Sequence, residues 1–371
     1  MIVCNLESLN DLSGFYIVYK GAALTESPEE RGLNHLIEHL VCKSAQWMTE
    51  EFDEHAIFFN AITSDNYIVY YITGLDEYVG QFKHAFFEEI TKKHQFDETY
   101  FLQEKKIVLE EYRLGFADRY RSYRYNFFRK YFDYYCAIGD KTVIEKCNLD
   151  LIQKVYEKQY EEPYMVINVS KNDTYSVLDS NPRHHCLYRQ EPIKLLPKVS
   201  FQPENLSEVP GNAVQFILNK SLIPNEELPK TQFVNYMLCG NLWKPLYKTL
   251  RDDLGLCYYA NLKDYCLDDQ HLVLFSTETN TKNKDKLQSA FTSILNNPKP
   301  YFTKNLFEQT LTYLTAQKRI NKNNRYNDVV DIFYNNVFRD DNLSSITYDA
   351  VLSHFEKYYV GCDNHFMVVE L

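Results

Sequence analysis

His35, Glu38 and His39 fall in the run His35-Leu36-Ile37-Glu38-His39, a set of side chains able to do metal chemistry if the segment is helical. Residues four apart on a helix project from one face, about one turn from each other. Two neutral imidazoles placed this way can share a zinc ion. Glu38 lies beside them, where it can take a proton from a metal-bound water. A tetrahedral catalytic site also needs a third protein ligand and an open position for water. The candidate segment is Glu104-Lys105-Lys106-Ile107-Val108-Leu109-Glu110-Glu111-Tyr112. Glu104 and Glu111 are two helical turns apart and share a face with Val108. Glu111 can be the carboxylate ligand and Glu104 a carboxylate lying behind the ligands. Most Glu/Lys-rich helices are solvated faces, so the case rests on the two segments together.

The elements that must position these groups can be read from apolar spacing. Residues 15–23 read as a strand. Ser27-Pro28-Glu29-Glu30 has the form of a capping box with proline at the first helical position. Gly32 interrupts it, and the helix can start there instead. Residues 33–43 have helical spacing at Leu33, Leu36, Ile37, Leu40 and Val41, which buries the side away from the polar residues. A second strand spans 67–72, and two amphipathic helices span 77–93 and 98–114. Aromatic-rich helical sequence continues to about Tyr135. A further helix covers 149–160, and residues 164–169 form a closing strand.

Residues 171–205 lose periodicity and contain Pro182, Pro192, Pro197 and Pro203. We therefore expect a domain at 1–175, a linker at 176–205 and a second domain at 206–371. The second half repeats the first. With a shift of 200, Tyr16-Ile17-Val18 falls on Phe216-Ile217-Leu218, Glu26 on Glu226, Leu33 on Phe233, Leu36 on Tyr236 and Ile37 on Met237. Glu157-Lys158-Gln159-Tyr160 resembles Glu356-Lys357-Tyr358-Tyr359 near the ends. The expected fold class is α+β, with two homologous domains, each a mostly antiparallel sheet packed with helices. Under the same shift His35, Glu38 and His39 fall on Asn235, Leu238 and Cys239. The fold pattern repeats and the metal-binding pattern does not.

The bulk composition agrees with a soluble globular chain: 371 residues, 45% hydrophobic and 25% charged, with 31 Tyr, 24 Phe and 11 Gly. A net charge of −11 argues against nucleic acid as the main partner, and it is compatible with attraction of basic peptides. The nine cysteines are odd in number and scattered, with no C-x-x-C, which reads as free thiols in a reducing compartment. No apolar run reaches the length of a membrane span, and the first residues lack a signal-peptide pattern. The expected location is cytoplasmic, with no membrane partner. Outside the H-L-I-E-H run, no histidine has metal spacing other than the linker pair His184-His185.

At these segments the chain resembles, essentially end to end, the pitrilysin-type metallopeptidases, the family of insulysin and mitochondrial processing peptidase. H-L-I-E-H has the inverted-zincin order H-x-x-E-H. Glu111 lies 72 residues beyond His39, in a stretch similar to the family's E-K-x-x-V-L-x-E segment. The resemblance implies one zinc ion per chain, held by His35, His39 and Glu111 in preference to Glu110, with Glu38 as general base. Asn60-Ala61-Ile62-Thr63-Ser64, followed by strand 67–72, is similar to the family's N-A-x-T-S segment, which begins the edge strand that receives substrate. This implies Asn60 and Ala61 as substrate-binding residues. Arg251-Asp252-Asp253-Leu254-Gly255-Leu256-Cys257-Tyr258 resembles the R-x-x-x-G-L-x-Y signature, implying substrate contacts by Arg251 and Tyr258. The implied activity is zinc-dependent endopeptidase action on peptides or unfolded protein segments held in extended form. Family members close a chamber from four such domains, so a two-domain chain is expected to pair as a homodimer. The domains look shorter than usual for the family, which bears on loops and chamber size. Two other roles fit the same fold: a non-catalytic structural or assembly subunit, and the catalytic subunit of a heterodimer. The complete metal set argues against the first. The presence of Arg251 and Tyr258 beside the zinc motif in one chain favours self-pairing.

Overall fold

A computed structural model describes residues 1–8, 11–118, 121–122, 125, 129, 136–175, 212–217, 223–240, 244–267, 270–321, 343–360 and 365–370. The expected linker at 176–205, the His184-His185 pair and most of the aromatic stretch before Tyr135 lie outside the described residues. The described residues fall into two compact units, one ending at residue 175 and one beginning at residue 212.

The first unit is built on strands β1 (Ile2–Glu7), β2 (Leu12–Lys20), β3 (Phe58–Thr63), β4 (Tyr67–Leu75) and β5 (Met165–Ser170), in the order β1-β5-β2-β4-β3. Every pairing is antiparallel except β1 with β5. Strand β2 is central, so its alternation is apolar on both faces. Phe15, Ile17 and Tyr19 face the helices, while Tyr16 and Val18 join a second apolar layer with Tyr67, Val69, Tyr71 and Ile167. Over the sheet lie α1 (Leu33–Ser44), α2 (Thr49–Glu54), α3 (Asp76–Thr91), α4 (Glu98–Ala117), α5 (Lys141–Lys146) and α6 (Leu149–Gln159). Helix α1 buries Leu33, Leu36, Ile37, Leu40 and Val41 completely or nearly so. Burial of each such side chain contributes roughly 1.5–3 kcal/mol.

Three boundaries differ from the sequence reading, each for a local reason. Strand β2 ends at Lys20 because Gly21 takes φ 116° and Ala22–Thr25 coil into a 3₁₀ turn. The capping box forms only as a turn: Ser27 N–H donates to the Glu30 carboxylate at 3.0 Å, but no helix follows. Helix α1 starts after Gly32, at φ 91°, and is capped from a distance. The Glu26 carboxylate accepts from Gly32 N–H at 2.7 Å and Asn34 N–H at 2.9 Å. An anion there satisfies otherwise unpaired donors at the helix start. The third difference is β3: the Asn60–Thr63 motif lies inside the edge strand, and the expected strand at Tyr67 is its inner neighbour β4.

The second unit repeats this plan. Strands β6 (Asn212–Ile217) and β7 (Ile223–Pro224) pair with successive parts of one side of β9 (Gln270–Thr279), and β8 (Asn261–Leu267) pairs along the other. Strand β10 (His365–Glu370) adds to β6. The order β10-β6/β7-β9-β8 matches β5-β2-β4-β3. Helices α7 (Leu228–Cys239), α8 (Lys284–Asn296), α9 (Lys304–Asn321) and α10 (Tyr348–Tyr358) complete the unit. Its core includes Phe233, Val234, Met237, Phe275, Phe291 and Phe355. No helix among the described residues is long and apolar enough to cross a membrane.

Candidate metal centre and substrate cleft

Because α1 commits its apolar stripe to the core, His35, Glu38 and His39 face α4 and β3. The two imidazole rings stand 5.0 Å apart between centroids, nearly perpendicular at 82°. Helix α4 is started by Asp97, whose side chain accepts from the N–H groups of Thr99 and Tyr100. It carries Glu104 and Glu111 past the histidines. Glu111 Oε2 is 3.4 Å from His35 Nε2, and Oε1 is 3.7 Å from His39 Nε2. One ligand atom from each of His35, His39 and Glu111 lies within 4.8 Å of the others. Glu110, one residue earlier, points elsewhere and is bound by the Arg113 guanidinium at 2.6–3.0 Å.

Glu104 is buried, and its Oε2 lies 3.2 Å from His39 Nδ1. That contact leaves Nε2 of His39 directed at Glu111. A carboxylate on the far nitrogen of a histidine sets both ring orientation and tautomer. Burial, then the neighbouring His39, lowers the His35 pKa to about 3, so this imidazole is neutral and its lone pair is available. His35 Nδ1 is buried and has no hydrogen-bond partner among the described residues. Burial raises the Glu38 carboxyl above the ordinary glutamate range, opposed by His39 and by Thr63. The Thr63 hydroxyl donates to Glu38 Oε2 at 2.8 Å. Cys42, one turn beyond Glu38, is pushed well above the usual thiol range by burial and then by Glu38 and Glu104. The donor set is therefore two nitrogens and an oxygen, which suits zinc with an open fourth position.

These groups line a cleft of about 750 Å³ whose opposite wall is β3, from Asn60 to Thr63. Strand β3 pairs only with β4 among the described strands, so its outer edge is free. Asn60 is exposed, and its carboxamide is engaged locally: Nδ2 donates to the Tyr71 hydroxyl at 3.3 Å, and Oδ1 accepts from Ala61 N–H at 2.9 Å. Ala61 lines the cleft beside it.

Arg251 and Tyr258 belong to the second unit and meet there. Residues Lys248–Asp253 form a wide π-type turn, closed by Gly255 N–H to the Arg251 carbonyl and Leu256 N–H to the Leu250 carbonyl. Gly255, at φ 59°, allows the reversal. The Arg251 guanidinium then lies 5.1 Å from the Tyr258 ring centre and 5.6 Å from that of Tyr247. Tyr258 is 78% exposed, unusual for so large a ring.

Sequence reasoning did not single out Thr63 or Glu26. Thr63 sits in the N-A-I-T-S segment, so a signal was present. Glu26 acts across six and eight residues through a non-helical turn, and no local pattern marks it.

An α+β repeat with one H-x-x-E-H helix, a carboxylate from a second helix and a free sheet edge is the arrangement that the inverted-zincin resemblance leads one to expect. Residues 10–115 match the family model described as insulinase, peptidase family M16. An uncharacterized zinc protease of Bacillus subtilis (strain 168), YmxG, is 25% identical over 247 residues. That match covers 63% of this chain and 60% of the relative, so it spans less than two thirds of the relative's length. A protease from Helicobacter pylori has the same fold: TM-score 0.78 at 16% identity, covering 100% of this chain and 97% of that one. The inactive domain of a peptidase M16 from Pseudomonas fluorescens gives TM-score 0.73 at 12% identity, covering 99% and 95%. Residues 10–115 thus carry the match to the insulinase family, peptidase family M16, and the chain as a whole shares the fold of the M16-like structures.

Proposed function

We propose that this chain is a zinc-dependent endopeptidase that cleaves peptides or unfolded protein segments lying in extended form along β3. The observation that carries this reading is the convergence of His35, His39 and Glu111 beside buried Glu38 in a cleft walled by a free strand edge. Those three residues would hold a zinc ion, which would supply a Lewis acid able to activate water and polarise a carbonyl. Peptide addition to the β3 edge is driven mainly by main-chain hydrogen bonds, which tolerates many sequences. Glu38 holds the proton taken from the attacking water and returns it to the leaving amine. Its raised affinity for a proton suits both tasks, and the Thr63 hydroxyl keeps Oε2 on the cleft side. Glu104 keeps His39 in the ligating orientation.

The Arg251–Tyr258 pair, with its Tyr258 ring exposed, is proposed to reach substrate bound on a second copy of the chain. There a guanidinium and a phenol can hydrogen-bond peptide carbonyls and a developing oxyanion. The rival reading, a non-catalytic subunit, draws on the fold shared with an inactive M16 domain. It leaves the complete His35, Glu38, His39 and Glu111 set without a use.

The test incubates zinc-loaded wild type and Glu38→Gln with a mixed peptide library, read by mass spectrometry, alongside solution mass. Cleavage by wild type, loss of at least about a thousandfold in Glu38→Gln with zinc retained, and a dimeric mass are expected. Equal activity in both proteins would sink the base assignment. A zinc-free, inactive wild type would favour the structural subunit.

A further inference from the structure

Helix α1 continues the row His35, His39 with Lys43, four residues on. Four residues advance a helix by about 6 Å, so Lys43 stands on the cleft side one turn past His39. Lys43 and Gln46 both line the cleft. The Lys43 ammonium lies 5.5 Å from the centre of the Tyr100 ring and has no carboxylate partner among the described residues. The Gln46 carboxamide has no hydrogen-bond partner among them either. The other charged residues lining the cleft are Glu38, Glu104 and Glu111 beside the histidines, and Arg121. In a chain of net charge −11, the cleft thus offers, at Lys43 and Gln46, a cation without a carboxylate partner and a carboxamide without a hydrogen-bond partner among the described residues.

Strand β3 runs beside this row. Thr63 is opposite Glu38, and Asn60 and Ala61 share the cleft with Lys43 and Gln46. A peptide paired to β3 at Glu38 therefore passes Lys43. An extended chain advances about 3.3 Å per residue, so 6 Å corresponds to about two residues. We propose that Lys43, assisted by Gln46, is a specificity-determining residue that receives an acidic side chain of the substrate about two residues from the scissile bond. The preference runs against the attraction of basic peptides that net charge alone suggests. It rests on the proposed peptidase reading for the words "scissile bond" but not for the binding itself.

The test keeps the two apart by measuring binding to the uncleaving Glu38→Gln chain. Fluorescent peptides of one sequence carry Glu, Gln or Lys at each position in turn. Affinity is expected to favour Glu over Gln at one position by about tenfold, the scale of a partly desolvated ion pair. Adding Lys43→Gln is expected to erase that ratio, Lys43→Glu to shift the preference to Lys, and Lys43→Arg to keep it. Cleavage mapping on the Glu38-containing protein then places the position about two residues from the cut. Equal affinities for the three peptides at every position, absence of any peptide binding, or an unchanged preference in Lys43→Glu would overturn the proposal. Acid-selective binding without any cleavage by the Glu38-containing protein would uphold it and overturn the peptidase reading.

Discussion

Helices α1 and α7 occupy the same place in the two units and treat the same three positions in opposite ways. In α1, His35, Glu38 and His39 point at a carboxylate and an open cleft. In α7, Asn235 accepts from the Tyr359 hydroxyl at 3.0 Å, Leu238 is buried, and the Cys239 thiol donates to the Ala260 carbonyl at 3.1 Å. The tyrosine that Tyr359 matches in the first unit, Tyr160, bonds instead to the Tyr70 hydroxyl at 2.8 Å. One fold thus supports either a sealed interior or a reactive face, and the choice is made by few side chains. The second unit spends these positions on stability, and the first leaves them poised for a ligand.

The largest way to break the comparison is to force the first unit's chemistry on the second. Leu238→Glu places a carboxylate where no partner waits, and burying an unpaired charge is among the costliest single changes. A loss of about 4 kcal/mol or more is expected in urea unfolding, with no additional zinc bound. Zinc uptake with retained stability would show that the sealed helix was a site after all.

A second effect comes from histidines that the second unit buries in a hydrogen-bonded chain. Thr231 links His271 and His354 through its hydroxyl, at 2.9 Å to Nε2 of each, and Glu227 lies 3.0 Å from His354 Nδ1. Burial lowers both pKa values from the ordinary 6.5 to about 4. The charge of His354 adds to the effect on His271, whereas Glu227 opposes it on His354. The unfolded chain takes up protons below about 6.5 and the folded chain only near 4. Stability is therefore fully present above pH 6.5, falls as pH drops toward 4, and levels off below. The slope is about 1.4 kcal/mol per pH unit for each histidine. Urea titrations at pH 7, 5.5 and 4.5 should show this loss, reduced in His354→Gln. An unchanged slope in that variant would contradict the buried-neutral assignment.

Glu104→Ala sharpens the comparison from the other side, because it removes the carboxylate that lies behind His39. Zinc affinity is expected to fall 10- to 100-fold, as measured by competition with a chelating dye, with the chain still folded. No change would mean that the Glu104–His39 contact is incidental.

The repeat and the histidine-bearing helix were legible because periodicity and four-residue spacing are local. Leu33, Leu36, Ile37, Leu40 and Val41 state the helix, and its histidines follow on the other side. The edge strand was less legible. Phe58–Thr63 has one edge on β4 and the other on the cleft, so its exposure does not alternate cleanly. Strand β1 was missed because Ile2–Glu7 is short and pairs with residues 165–170, far away in the chain. The pairing of Thr63 with Glu38 and the capping of α1 by Glu26 are tertiary. No periodicity foretells which hydroxyl or carboxylate the fold will bring to a helix. Arg251 and Tyr258 were singled out by their motif, but the Tyr247 ring near the guanidinium was not, because its contact depends on the π-type turn.

Metal stoichiometry tests the central asymmetry most directly. Zinc per chain should be measured after dialysis for wild type, Glu111→Gln and Glu110→Gln. The account predicts one zinc in wild type, near loss in Glu111→Gln and full retention in Glu110→Gln. Zinc retained by Glu111→Gln, or lost equally from both variants, would contradict it.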